Sequence, residues 1–152
     1  MEDQQDTVAA MEFAQKAVIF DGSGRVLLVA RVSSAGMFLK WELPGGRVKP
    51  HEGLDEGFMR ETWEEVGLDI VAGPPVHLWT WDTDSGGQII AVARLAYAKP
   101  GEVTNAHRVP EDMLGEIRWF TMPQLEKIPM DDAYREAINF ALTVQGKLDA
   151  RL

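Results

Sequence analysis

Three glutamates, Glu61, Glu64 and Glu65, stand at i, i+3 and i+4 in the run Arg60-Glu61-Thr62-Trp63-Glu64-Glu65. At about 3.6 residues per turn, that spacing sends three carboxylates out of one face of one helix turn. Like charges so placed repel and weaken an isolated helix. A cation that prefers hard oxygen ligands cancels the repulsion. The chemistry open to that arrangement is charge neutralisation, orientation of an anionic substrate and activation of water. The ordinary alternative for such a run is a solvated acidic face.

The residues around the triplet favour the cation. Pro44-Gly45-Gly46 precedes it as a bend whose glycines let the backbone approach a ligand closely. Gly46, Glu52, Arg60, Glu61, Glu64, Glu65, Gly67 and Leu68 then follow a fixed order. It runs glycine, five residues, glutamate, seven residues, Arg-Glu, an aliphatic, any residue, Glu-Glu, any residue, glycine, an aliphatic. In this stretch the chain resembles the Nudix hydrolase family, and average residue usage gives that match by chance about once in a billion windows. Two positions depart from the pattern. Thr62 replaces the aliphatic, with a methyl that can still face the core. Gly57 stands mid-helix where the family usually has alanine, at a cost of about 1 kcal/mol in propensity. On a helical wheel Gly57 lies near the carboxylate face, where it leaves room for a ligand or a neighbouring backbone.

The resemblance implies an α/β/α sandwich in a single domain spanning 1–152, with a flexible polar segment at 1–12. It also implies a metal-dependent hydrolase that cuts the pyrophosphate linkage of a nucleoside triphosphate or nucleoside diphosphate derivative. Glu61, Glu64, Glu65 and the Gly45 carbonyl are then ligands of Mg²⁺, with Mn²⁺ as an alternative, and Glu61 orients or deprotonates the attacking water. Arg60 and Glu52 orient the ligands rather than bind metal. A further acidic group comes from a later loop in the family, where Glu111, Asp112 and Glu116 are available. Glu111 is favoured, because Glu116 heads a strand whose alternation turns it elsewhere.

The elements that must position these groups are legible as apolar periodicities. Strands are predicted at 13–20 and 25–32, separated by the turn signal Asp21-Gly22-Ser23-Gly24. A short apolar stretch at 37–43 is followed by the glycine bend. The metal-bearing helix spans 54–66, with Leu54, Phe58, Met59, Thr62, Trp63 and Val66 as its apolar side and Gly67 as its C-cap. Strands follow at 76–82, 88–98 and 115–122, with a polar loop over 99–115. A short helix starts near Met122 with Pro123 in its first turn. A final helix, N-capped by Asp131 or Asp132, turns Tyr134, Ala137, Ile138, Ala141 and Val144 inward. Strands that flank helices in this way give a mixed α/β layer fold.

Substrate contacts lie outside the signature. Arg31, ending the second strand, and Arg47, just inside the signature loop, are the expected phosphate donors. Trp41, Trp79 and Trp81 offer faces for a nucleobase, and Trp79 and Trp81 share one sheet face by period two. Asp131 and Asp132 are similar in placement to the paired aspartates that read the base in Nudix enzymes acting on oxidised purine triphosphates.

Composition bounds the partners. The net charge of −9 argues against an electrostatic footprint for long nucleic acid. No apolar run is long enough to cross a bilayer. The absence of cysteine excludes disulfides and thiolate metal sites and fits a cytoplasmic setting. The expected partner is a small nucleotide, bound by a monomer or homodimer. A ligand sensor without turnover is the competing class, although its signature would be expected to be damaged. An isoprenoid diphosphate isomerase is disfavoured, since His51, His77 and His107 are scattered.

Overall fold

The computed structural model describes residues 10–151. Residues 1–9 of the segment expected to be flexible lie outside the described residues, and its last residue, Glu12, is already strand. The elements are β1 (Glu12–Ile19), β2 (Val26–Val32), β3 (Phe38–Glu42), β4 (Gly45–Arg47), α1 (Leu54–Val66), β5 (Ile70–Asp82), β6 (Gln88–Ala98), β7 (Leu114–Phe120), α2 (Met122–Leu125) and α3 (Asp132–Asp149). A 3₁₀ turn at Pro110–Asp112 interrupts the loop before β7.

Two sheets form the middle layer, in strand orders β4-β1-β6-β5 and β3-β2-β7. β1 runs parallel to β6, while every other named pairing is antiparallel. Alternation along β1 sends Ala17 and Ile19 into one core with Phe58 and Val66 of α1. Val18 goes into the opposite core, with Tyr134, Ala137, Ile138 and Ala141 of α3. The helices therefore lie on opposite faces, the expected α/β/α sandwich.

Several local expectations change. The glycine bend is itself a strand: Gly45, Gly46 and Arg47 pair with Lys16, Gln15 and Ala14. Gly45 has φ +135°, and a Cβ there would collide with the Gln15 carbonyl, so the close approach of β4 to β1 needs glycine. β5 begins six residues earlier than predicted. It is an edge strand that absorbs Pro74 and Pro75 with register shifts on either side of Pro75. The apolar side of α1 is narrower than expected. Phe58, Thr62 and Val66 are buried, but Leu54 is 54% exposed and Met59 and Trp63 are each 40% exposed. Trp63 instead stacks on His107 from the loop before β7, with ring centroids 3.8 Å apart.

Candidate active site

α1, β4 and the 3₁₀ turn meet at a cleft of about 840 Å³. Gly45, Gly46, Glu61, Glu65, Glu111 and Asp112 line it, together with Lys16, Arg31 and Glu42. Trp79, Trp81, Asp82, Asp131, Ala133 and Tyr134 also line it. Arg47 and Lys40 also border it.

Arg60 organises the signature helix. Its Nε and Nη2 donate to the two Glu52 oxygens at 2.6 and 3.0 Å, and its Nη1 donates to Glu61 and Glu64 at 2.9 and 3.1 Å. The Lys49 N–H completes the cradle of Glu52 at 3.1 Å. The Arg60 hydrogen bonds hold the Glu52 carboxyl at a pKa of about 2, well below the usual carboxylate range. Gly57 makes this possible, because a Cβ there would fall 2.6 Å from Glu52 Oε1. The space left by Gly57 therefore holds the Glu52 side chain, not a ligand or a neighbouring backbone.

The carboxylates on the other side of Arg60 are under electrostatic load. Burial pushes Glu65 up to about 7, against the opposing charge of Lys16 and the N–H of Gly45, which donates to Glu65 Oε2 at 2.8 Å. Burial also raises Glu61 and Asp112, with Glu64 adding to both as a like charge. Asp112 Oδ2 is buried and has no hydrogen-bond partner. As the side chains stand, no three carboxylate or imidazole groups among the described residues converge on one metal position. The donor set nevertheless fits a hard divalent cation: clustered oxygens, mutually repelling, one of them buried and unpartnered.

Arg108 fastens the loop that brings Asp112 here. Its Nε donates to the Glu65 carbonyl and its Nη1 to the Leu114 carbonyl, both at 3.0 Å. Arg31 fixes the same loop from β2, donating to the Asp112 carbonyl at 2.6 Å and pairing with Glu42 at 2.8 Å.

Most of the predicted site residues share this cleft. Arg60, Glu52 and Glu64 are outside the lining and connect to it through Glu61, to which Arg60 donates. Arg47 stands at the rim, exposed and paired with Glu12 at 3.0 Å. Trp79 and Trp81 face the cleft with ring centroids 6.4 Å apart, and Trp79 meets Tyr134 edge-on. Asp131 occupies the N-cap position of α3, but its side chain makes no cap bond and accepts from Lys40 Nζ at 2.8 Å. Two expectations do not hold in this geometry. Trp41 is 6% exposed and packs edge-on against Phe120 in the core, so its face is not open to a base. Asp132 is exposed in the first turn of α3, outside the cleft lining. Glu116 pairs with Arg118 on β7 and is likewise outside the lining.

Among the lining residues not anticipated as part of the site are Lys16, Glu42, Asp82 and Tyr134. For Lys16, the lone charge inside the run Phe13-Ala14-Gln15-Lys16-Ala17-Val18 was the available signal, and for Glu42 its place between Trp41 and Leu43.

The fold agrees with comparisons across known proteins. A model of the NUDIX domain matches residues 13–140. The chain belongs to the Nudix family. It is 28% identical over 112 residues to a CTP pyrophosphohydrolase of Escherichia coli (strain K12), covering 64% of this chain and 83% of that protein. It is 37% identical over 91 residues to an m7GpppN-mRNA hydrolase of Bos taurus, a match that spans 51% of this chain and 30% of the bovine protein. The crystal structure of a MutT protein from Methanosarcina mazei superposes with a TM-score of 0.71 at 25% identity, covering 90% of this chain and 97% of that one. As a Nudix family member with hydrolase relatives, the chain is an enzyme of pyrophosphate hydrolysis.

Proposed function

We propose that this Nudix hydrolase cleaves a nucleoside triphosphate or a nucleoside diphosphate derivative with Mg²⁺, or Mn²⁺ in its place. The observation that carries this reading is the joining of two unlike groups in one cleft: Glu61, Glu65 and Asp112 with Gly45 and Gly46, and Trp79 and Trp81 with Asp131. A nucleotide can place its phosphates against the acidic residues and its base against the tryptophans of the same cleft.

In this reading Glu61, Glu64, Glu65 and the Gly45 carbonyl hold the divalent ions. Asp112 is preferred over Glu111 as the late acidic ligand, because its buried oxygen lacks a partner. The ions, when bound, neutralise the phosphates and make water nucleophilic near neutral pH. Arg60, anchored by Glu52, presents Glu61 and Glu64 in fixed rotamers. Glu61 orients the attacking water and accepts its proton. Arg31 and Arg47 supply phosphate donors, and Arg47 gives up its exposed pairing with Glu12 at little cost. Trp79 and Trp81 cover the base, while Asp131 and Lys40 address its edge. Because Asp132 is outside the cleft lining, an oxidised purine would be read by one aspartate rather than two. The partner is a small nucleotide, and neither long nucleic acid nor a membrane surface suits a chain of net charge −9.

A nucleotide panel with Mg²⁺ and Mn²⁺, scored by the products released, tests this. Glu64→Gln is expected to abolish turnover with the fold intact, and full activity in that variant would remove the metal assignment. Tight binding of a nucleotide without turnover by the wild type would make the chain a sensor instead.

A further inference from the structure

Tyr134 lines the cleft from α3, and the reaction described above gives it no part. Only 6% of its surface is exposed, and its ring is held in the core with Ala137, Ile138 and Ala141. Trp79 meets the ring edge-on, with centroids 5.6 Å apart. Lys16 Nζ stands 6.0 Å from the ring centroid and donates to the Gly45 carbonyl at 2.9 Å. The phenol thus adjoins both a residue assigned to the base and a side chain bonded to a carbonyl assigned to the metal ions. In a nucleotide, the part that adjoins both base and phosphates is the sugar. A buried phenol normally finds a hydrogen-bond partner for its O–H. No hydrogen bond from the described residues acts on the Tyr134 hydroxyl. Burial raises its pKa above the ordinary value, so at neutral pH it stays a neutral group that can donate and accept. It is also the only side-chain hydroxyl among the described residues that line the cleft.

We propose that Tyr134 is a specificity-determining residue whose hydroxyl hydrogen-bonds a ribose hydroxyl of the substrate. This rests on the nucleotide reading above and narrows it to substrates that carry that hydroxyl. A sugar hydroxyl suits the position because it, too, donates and accepts, so either partner can supply the proton. Selectivity follows from the burial of the phenol. A nucleotide lacking the hydroxyl would leave the Tyr134 O–H unpaired in the occupied cleft, and an unpaired buried donor costs more than a hydrogen bond gains. If Tyr134 served only to fill the core beside Trp79 and Ala137, its hydroxyl could be removed without effect on any substrate.

The test is steady-state kinetics with Mg²⁺ on the wild type and Tyr134→Phe, which keeps the ring and its packing. The probes are the common ribonucleoside di- and triphosphates, with the 2′-deoxy and 3′-deoxy forms of whichever is turned over fastest. The wild type is expected to favour the ribonucleotide over one deoxy form by about tenfold in kcat/KM, the scale of one hydrogen bond. Tyr134→Phe is expected to lose about tenfold on the ribonucleotide, mostly through KM, and nothing on that deoxy form. The deoxy form that escapes the loss identifies the hydroxyl. An equal loss on all three sugars overturns the proposal, since a packing defect or a contact to base or phosphate would act on each alike. Unchanged kinetics in Tyr134→Phe, or a wild type indifferent to both sugar hydroxyls, overturn it as well. If the wild type neither binds nor turns over any of these nucleotides, the nucleotide reading fails and takes the proposal with it, a result distinct from indifference to the sugar.

Discussion

Glu65→Gln isolates the energetic load carried by the cleft. In the folded chain burial raises Glu65 from an ordinary 4.5 to about 7. A carboxyl raised in this way favours folding fully below about 4.5, and that contribution is lost as the pH rises through about 7. At roughly 1.4 kcal/mol per pH unit, the interval between the two values corresponds to about 3 kcal/mol as an upper limit. Glutamine cannot ionise, yet its oxygen can still accept the Gly45 N–H that Glu65 accepts at 2.8 Å. The two proteins should therefore be nearly equal in stability near pH 4.5, with the wild type falling behind as the pH rises to 8.5. For a chain of this size, about 3 kcal/mol corresponds to roughly 6–12 °C in Tm. Urea unfolding of both proteins at a series of pH values, with EDTA to exclude divalent ions, measures the difference directly. A difference that stays within about 0.5 kcal/mol from pH 4.5 to 8.5 would refute the argument, as would one that grows in the opposite direction.

Three further perturbations have definite outcomes. Glu52→Gln removes charge from a side chain that is 8% exposed and gripped twice by Arg60. It should cost about 1.5–3 kcal/mol at pH 7, and because the Glu52 pKa is depressed to about 2, the deficit should shrink as the pH falls from 4.5 toward 2. Gly46→Ala would put a methyl 2.6 Å from Glu61 Oε2. Since a flexible carboxyl end can move aside, Tm should change little while kcat falls by about a hundredfold, and equal activity would show that the Glu61 position does not matter. Trp81→Ala should raise KM about tenfold with kcat retained, as expected for loss of one stacking face worth roughly 1–3 kcal/mol; an unchanged KM would place the base elsewhere.

How legible the protein was depended on whether a residue's environment was set locally. The bounds of α1 at Leu54–Val66 and β6 at Gln88–Ala98 match the periodicity reading, because both carry long unbroken patterns. β4 was missed because two of its three residues are glycines, which leave no side-chain alternation to read. The early half of β5 was missed because Gly73-Pro74-Pro75 signals a loop, whereas an edge strand tolerates prolines that a central strand would not. Trp41 could not be distinguished from Trp79 and Trp81 by residue type, since only packing against Phe120 turns it inward. Lys16 was visible as a lone charge on an apolar strand, but period two could not reveal that its side of β1 opens into the cleft beyond Val18. The choice between Glu111 and Asp112 depends on the 3₁₀ turn, on Arg31, which reaches it from β2, and on Arg108, which ties the same loop to the Glu65 carbonyl of α1.

The parallel pairing of β1 with β6 imposes an order of events on folding. Glu12 pairs with Ile89 and Ile19 with Ala96, so about half the chain separates the partners. Such non-local pairing slows closure of the sheet, whereas a helix like α1 forms from neighbours in sequence. The acidic turn of α1 can thus form while its carboxylates still face water and repel one another only weakly. Desolvation of Glu65 awaits the docking of β1 with Lys16 and of the loop carrying Arg108, so the counter-charges arrive in the same step that removes the solvent.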